Sequence, residues 1–346
     1  MKTKEKFPVR LYAGADNTGI NVCDQVRLFG GIAWGNAMWV GDLMTYQYTA
    51  SPDFRQFQSH LLQYTSFLSW HHFLSAYAGY STIHPQIVGF LSSGKSALLS
   101  MRYLIPFKPF YTNFKQQIGF GFDIKYLNNN LFYVAVASNA VVTEQSINVS
   151  QFYFNYQWQQ KFSINTLTLK VDCFVSPWSG FLANQTSEDY NNLRYHSRVH
   201  YFYTRIALRH GIDMPKKWTF NWLIRGQAAN STLPVSEQFA LGGYDTVRGY
   251  QERPFLADDA FCANIEFHSP RLAGFLFLAF WDYGVGYNYH VQAANQKIQW
   301  LMGTGPGLRY DVFPYVSARI DYAFQLHDLP NDTHFGRFHL GITASY

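Results

Sequence analysis

The sequence predicts an all-β fold, a transmembrane antiparallel β-barrel of about 16 strands with a long loop folded into its interior. Three observations carry that prediction. Apolar and polar residues alternate with a period of two almost everywhere a period can be read, the signature of strands with two unlike faces. Aromatic residues make up 19% of the 346-residue chain (31 Phe, 25 Tyr, 9 Trp) while charged residues make up only 14%, well below the roughly 25% of ordinary soluble domains. No run of about 18 apolar residues occurs, which excludes a membrane-spanning helix, and the mean hydropathy is only −0.17. A barrel in lipid reconciles these facts, because each lipid-facing apolar residue is followed by a polar one facing the lumen.

The alternating segments begin near residues 9, 24, 39, 59, 73, 96, 115, 150, 164, 196, 217, 259, 275, 299, 315 and 337. That leaves about 22 residues for each strand and its connection, enough for spanning strands of about 9–11 residues. The first five and the tenth alternate less regularly. In the seventh, Ile118, Phe120, Phe122 and Ile124 oppose Gln117, Gly119, Gly121 and Asp123. In the eighth, Phe152, Phe154, Tyr156 and Trp158 oppose Gln151, Tyr153, Asn155 and Gln157. The ninth sets Leu167, Leu169 and Val171 against Thr168, Lys170 and Asp172, and the eleventh sets Phe220, Trp222 and Ile224 against Asn221 and Arg225. Farther on, Phe261, Ile265 and Phe267 oppose Cys262, Asn264, Glu266 and His268, and the last segment alternates from Phe338 to the terminal Tyr346. Gly35-Asn36 and Ser269 to Gly274 read as short connections, and 126–148, 177–194 and 228–258 as long ones. Short turns at one end and long loops at the other are the outer-membrane arrangement. A soluble sandwich or propeller would also alternate, but bulky rings on nearly every strand would overfill a second layer.

Several motifs invite other chemistry. GFLSSGKS, from Gly89 to Ser96, matches the nucleotide-binding P-loop letter for letter. That pattern needs a parallel strand–loop–helix unit around it, so that backbone amides cradle the phosphates. None surrounds it, and the stretch reads as a turn entering a strand; no nucleotide is expected. His196 and His200 would lie about 13 Å apart on a strand, too far for one metal. The net charge of +5 is not clustered, so no nucleic-acid surface is expected. Cys23, Cys173 and Cys262 form neither a zinc pattern nor a complete disulfide framework and read as free thiols. No nucleophile–base set is apparent, so neither an enzyme nor a cofactor is predicted.

The informative stretch runs from Gln227 to Pro270. It holds Gln227, Glu237-Gln238, Gly242-Gly243, Val247-Arg248-Gly249-Tyr250, Asp258-Asp259, Glu266 and Pro270. Phe280, Asp282 and Gly284 follow in the segment FWDYG. Together these resemble the two-partner-secretion transporters, the TpsB family that includes FhaC and the haemolysin secretion/activation proteins, within the superfamily of BamA-type barrels. The resemblance is strongest over 217–346 and architectural over 1–216.

It implies an outer-membrane barrel that exports a large TpsA-like exoprotein without ATP, is surrounded by outer-membrane lipids and is inserted by the barrel assembly machinery. It also implies that the loop arginine, Arg248, pairs with the strand aspartate, Asp282, inside the barrel. Period-two spacing independently puts Phe280, Asp282 and Gly284 on one lumenal face. In a wet lumen the pair is expected to contribute only around 1 kcal/mol, more if Tyr250 and Phe280 shield it. Gly242, Gly243 and Gly249 permit sharp turns at the loop tip. Bracing of the loop and gating by it look identical at this level. Arg248→Ala is expected to reduce secretion and change conductance, and charge reversal with Asp282→Arg to restore part of the secretion. The family also carries a signal peptide and two POTRA domains before the barrel; MKTKEKFPVR has lysines but no apolar stretch after them, so the chain is expected to be a split gene product, a degenerate copy or only the barrel portion of a longer protein. A BamA-like assembly factor, a passive pore and an outer-membrane enzyme are the alternative functions.

Overall fold

The computed structural model describes residues 8–39, 41–87, 90–107, 113–133, 142–291, 296–312, 315–329 and 334–346. Sixteen strands form the wall: β1 Val9–Asp16, β2 Arg27–Gly35, β3 Leu43–Ala50, β4 Phe57–Phe67, β5 Phe73–Ile83, β6 Phe90–Pro106, β7 Phe114–Tyr133, β8 Val142–Lys161, β9 Asn165–Ser176, β10 Tyr201–Asp213, β11 Thr219–Ala229, β12 Asp259–His268, β13 Phe275–Tyr287, β14 Ile298–Val312, β15 Val316–Gln325 and β16 Gly336–Ser345. Each pairs antiparallel with its chain neighbours. The ring closes where Tyr12 to Asp16 of β1 pair with Ser345 to Gly341 of β16. Closure leaves no open sheet edge, which is the condition for strands to cross lipid.

The wall is inside-out relative to a soluble protein. Along β13, Phe277 is 58% exposed and Asp282 is fully buried. Along β16, Phe338, Leu340 and Ile342 are exposed and His339 is buried. In water each such ring or aliphatic chain would forgo about 1.5–3 kcal/mol of burial; a hydrocarbon surround supplies it.

Connections at one end of the barrel are short turns, among them 36–42, 68–72, 162–164, 214–218 and 269–274. Those at the other end include 177–200 and 230–258. The stretch 126–148 differs from the expected loop. β7 runs on to Tyr133 and β8 starts at Val142, each 20 residues long, so the barrel wall rises beyond the bilayer there. β6 starts at Phe90, so residues 90–96 of the P-loop-like stretch lie within a strand, not a turn, while Gly89 falls outside the described residues. His196 and His200 precede β10, in the 177–200 connection, with His196 at φ 58°.

That connection holds an element the alternation does not announce, a helix α1, Ser187–Leu193, capped by Thr186 and Asp189 reciprocally. Before it, the chain folds back along the outside of β8. Asn148 donates to the Ala183 carbonyl and Gln185 to Ser150, at 2.7 and 2.8 Å. Trp178 packs against Phe152, with ring centroids 4.9 Å apart and the planes tilted by 56°. The outer face of β8 thus turns from Phe154 and Phe152 to Ser150 and Asn148 over a few residues, which marks the level where hydrocarbon gives way to a polar surround.

Candidate functional site

Residues 230–258, between β11 and β12, fold into the barrel and meet its inner wall. Two short strands, Phe239–Leu241 and Phe255–Ala257, pair as a stalk. Beyond the stalk Gly242 and Gly243 take φ 93° and 95°, a left-handed backbone that glycine adopts at least cost. They turn the chain into a tip that carries Val247, Arg248, Gly249 and Tyr250.

Arg248 is 3% exposed and grips Asp282 with both ends of its fork: Nε donates to Oδ2 at 2.7 Å and Nη2 to Oδ1 at 2.9 Å. Its backbone N–H donates to the same Oδ2 at 3.1 Å. Its remaining nitrogen, Nη1, lies 2.7 Å from Glu266 Oε1 and 3.5 Å from Asp321 Oδ2. The guanidinium carbon sits 3.6 Å from the Phe280 ring centroid, a cation–π contact that shields it. One arginine therefore faces three carboxylates on β12, β13 and β15. Burial opposes its charge, but the hydrogen bonds and attraction of Asp282, then of Glu266 and Asp321, outweigh that and raise its pKa above the ordinary value.

The pair is thus buried, in contrast to the wet contact expected from sequence. Removing one partner of a buried pair costs about 3–5 kcal/mol, because the other charge is stranded. Tyr250 is fully buried, and its hydroxyl donates to the His327 carbonyl at 2.7 Å. Gly249, at φ 101°, donates its N–H to His339 Nε2 at 3.1 Å.

Gly284 acts through what it lacks. A Cβ there would lie 2.8 Å from Val247 Cγ2 and 3.0 Å from Leu241 Cδ2. A Cβ on Gly303 of β14 would lie 2.0 Å from the Arg248 carbonyl oxygen. The bare wall lets the tip approach.

Sequence reasoning found Arg248, Asp282, Glu266 and Phe280 and missed Asp321, Arg309, His339, Asn264 and Gly303. Arg309 holds Asp321 at 2.5 and 2.9 Å, and Asn264 donates to Asp282 at 2.7 Å. Alternation along β15 and β12 puts Asp321 and Asn264 on inward faces, so an inward acidic residue two strands from Asp282 was the available signal. Asp258, of the acidic pair in the family pattern, is fully buried; it accepts from Arg194 and from the Leu233 N–H. Among the described residues, no cluster of three metal-binding side chains occurs, and the three cysteines are free thiols.

Glu252, on the return limb, accepts from the Tyr244 N–H at 2.8 Å. Burial pushes its carboxyl up to about 7; Asp245 adds to the shift, while the Tyr244 N–H and Arg253 oppose it. The docked loop therefore binds this proton more tightly than a solvated glutamate, whose ordinary value is 4.5. Docking is strongest below the solvated value and weakens as pH rises through about 7. Single-channel recordings are expected to show more frequent openings at about pH 8 than at about pH 5.5, and Glu252→Gln should flatten that dependence. An unchanged slope in the variant would remove Glu252 from the account.

A family model described as haemolysin secretion/activation protein ShlB/FhaC/HecB matches residues 1–310. Among curated proteins, the heme/hemopexin transporter protein HuxB of Haemophilus influenzae is 32% identical over 211 residues, 54% of this chain and 37% of HuxB. HuxB of H. influenzae strain 86-028NP is 30% identical over 175 residues, 44% of this chain and 31% of that protein. The matched part is thus about a third of the relatives' length. Among solved structures, CdiB from Escherichia coli superposes with a TM-score of 0.84 at 15% identity, covering 99% of this chain and 64% of CdiB. BamA from Haemophilus ducreyi lacking POTRA domains 1–3 gives 0.64 at 12% identity, covering 99% and 71%. At these identities the two structures speak for the barrel fold.

Proposed function

The chain belongs to the haemolysin secretion/activation family ShlB/FhaC/HecB, and from that premise we propose that it forms the conducting barrel of an outer-membrane two-partner-secretion transporter. Its substrate is a large secreted exoprotein, threaded unfolded through the lumen without nucleotide, and the barrel performs no catalytic step. The loop 230–258 is the gate, and Arg248 on Asp282 is its latch. The observation that carries this reading is the docking itself. A loop far longer than a hairpin needs crosses a barrel wide enough to hold water, and is held by polar contacts that can exchange for water. The curated relatives named heme/hemopexin transporters make an exoprotein of that kind the first substrate to try.

The test is deletion of the gene followed by assay of the culture surface and medium for the neighbour-encoded exoprotein. Its loss, restored by the intact gene and not by Arg248→Ala, is the expected result. General depletion of outer-membrane proteins would instead identify an assembly factor. Unchanged secretion would overturn the proposal.

A further inference from the structure

The loop is fastened at a second place, far from Arg248. Glu237 lies in the descending limb, in the short 3-10 turn Val235–Glu237. Its carboxylate is fully buried and surrounded by donors. Lys125 Nζ of β7 lies 2.7 and 2.9 Å from its two oxygens. Tyr203 of β10 donates at 2.5 Å, Gln151 of β8 at 3.1 Å and Ser236 at 2.8 Å. Its carbonyl accepts from Arg205 at 2.9 Å and from Gln227 at 3.2 Å. Burial opposes the charge, yet Lys125 and the hydroxyl donors outweigh it and hold the carboxyl down at about 2.

The two fastenings differ in surroundings. On one side of Glu237 lies a cluster of Tyr190, Tyr201, Tyr203 and Leu233, all buried; on the other, its neighbours Ser236 and Gln238 and Arg205 line a cavity of about 720 Å³ that the Glu237 side chain itself does not line. Beside Arg248 lies a cavity of about 370 Å³ into which Arg209, Tyr244 and Glu266 project. They also pull on different arcs of the wall, Glu237 on β7 to β11 and Arg248 on β12 to β15. Between them stand the stalk and then the Gly242-Gly243 turn. Leu241 and Ala257 of the stalk press on Gly286, where a Cβ would lie 2.9 and 2.5 Å from them.

We propose that Glu237, through Lys125, Tyr203 and Gln151, is the fixed anchor of the loop, and that the tip beyond Gly242-Gly243 is the part that swings when the gate opens. Arg248 and its partner Glu266 themselves line the cavity of about 370 Å³, so water can replace their contact, whereas none of Glu237, Lys125, Gln151 and Tyr203 lines the larger cavity beside Ser236, and the carboxylate is already satisfied by charge and hydroxyl donors. Glu237 is thus a positioning residue, holding the stalk so that the tip returns to the same seat. The inference deepens the gate reading, and it is testable without an exoprotein.

The experiment is hydrogen–deuterium exchange on the purified barrel in lipid nanodiscs, comparing peptides over 235–241 with peptides over 244–250. Arg248→Ala is expected to raise exchange at least tenfold in the tip while leaving 235–241 within twofold of the parent. Glu237→Gln and, separately, Lys125→Met are expected to raise both. Glu237→Asp, which keeps the charge, should restore 235–241 in part. Heat-modifiable gel mobility reports whether each variant still closes its barrel. Should Arg248→Ala free 235–241 as much as the tip, or should Glu237→Gln and Lys125→Met leave 235–241 protected, the anchor is overturned. If the anchor holds but secretion is indifferent to every variant, the gate reading fails instead.

Discussion

Arg248→Ala is expected to cut exoprotein secretion at least tenfold and to replace a quiet channel with a larger, fluctuating conductance in planar bilayers, while the folded barrel persists. The wall keeps its ladder of backbone hydrogen bonds, so the loss falls on the tip. Asp282, fully buried, loses the fork at 2.7 and 2.9 Å, and Glu266 loses its contact at 2.7 Å. A stranded buried carboxylate costs about 3–5 kcal/mol, enough to shift a docked loop strongly toward release. Arg248→Lys should recover only part, since an ammonium cannot fork across both oxygens of Asp282. The charge-exchanged double variant, Arg248→Asp with Asp282→Arg, is expected to fail. The sequence alone leads to an expectation of partial restoration; the surroundings of Arg248 lead to the opposite one. An aspartate at 248 would face Glu266 and Asp321, and would set a carboxylate over the face of Phe280. Recovery of near-parental secretion in the exchanged pair would show that Arg248 answers to Asp282 alone.

Gly303→Ala is expected to open the gate without altering any charge. The added methyl carbon would lie 2.0 Å from the Arg248 carbonyl oxygen and 3.4 Å from the Phe324 carbonyl oxygen. The first contact is with backbone at the centre of the docked tip, so the tip must leave its seat. Conductance should rise to the level of Arg248→Ala, with the same loss of secretion. The matched control is Gly226→Ala on β11, where the new carbon meets only the Ala260 carbonyl oxygen at 3.5 Å, an ordinary contact. A quiet Gly303→Ala channel would mean that the tip does not rest against β14 in the closed state.

The wall was legible because alternation is a local property. Phe277 and Trp281 face out and Phe280 and Asp282 face in for the same reason at every strand: successive side chains leave a strand on opposite sides. Strand ends were less legible. β7 and β8 continue through Leu127 and Val149 because they pair with each other above the bilayer, and in that stretch neither strand alternates apolar with polar residues against lipid. The helix α1 carries a capping signal, Thr186 with Asp189, over too short a run for periodicity to register.

The site divides in the same way. Arg248, Asp282, Glu266 and the glycines at 242, 243 and 249 stood out from the local motifs and their resemblance to a family. Asp321 did not, because its partnership with Arg248 joins positions 73 residues apart in the chain, and on its own strand it is one of several inward polar residues.

By itself the sequence determined that this chain is a barrel for lipid, since the period of two and the surfeit of aromatic residues follow from side chains that must satisfy hydrocarbon on one face and water on the other. Only the tertiary structure decided how firmly the loop is held. Three carboxylates converge on one guanidinium, and Lys125 and Tyr203 on Glu237, because closing the ring brings strands distant in the chain to face one lumen.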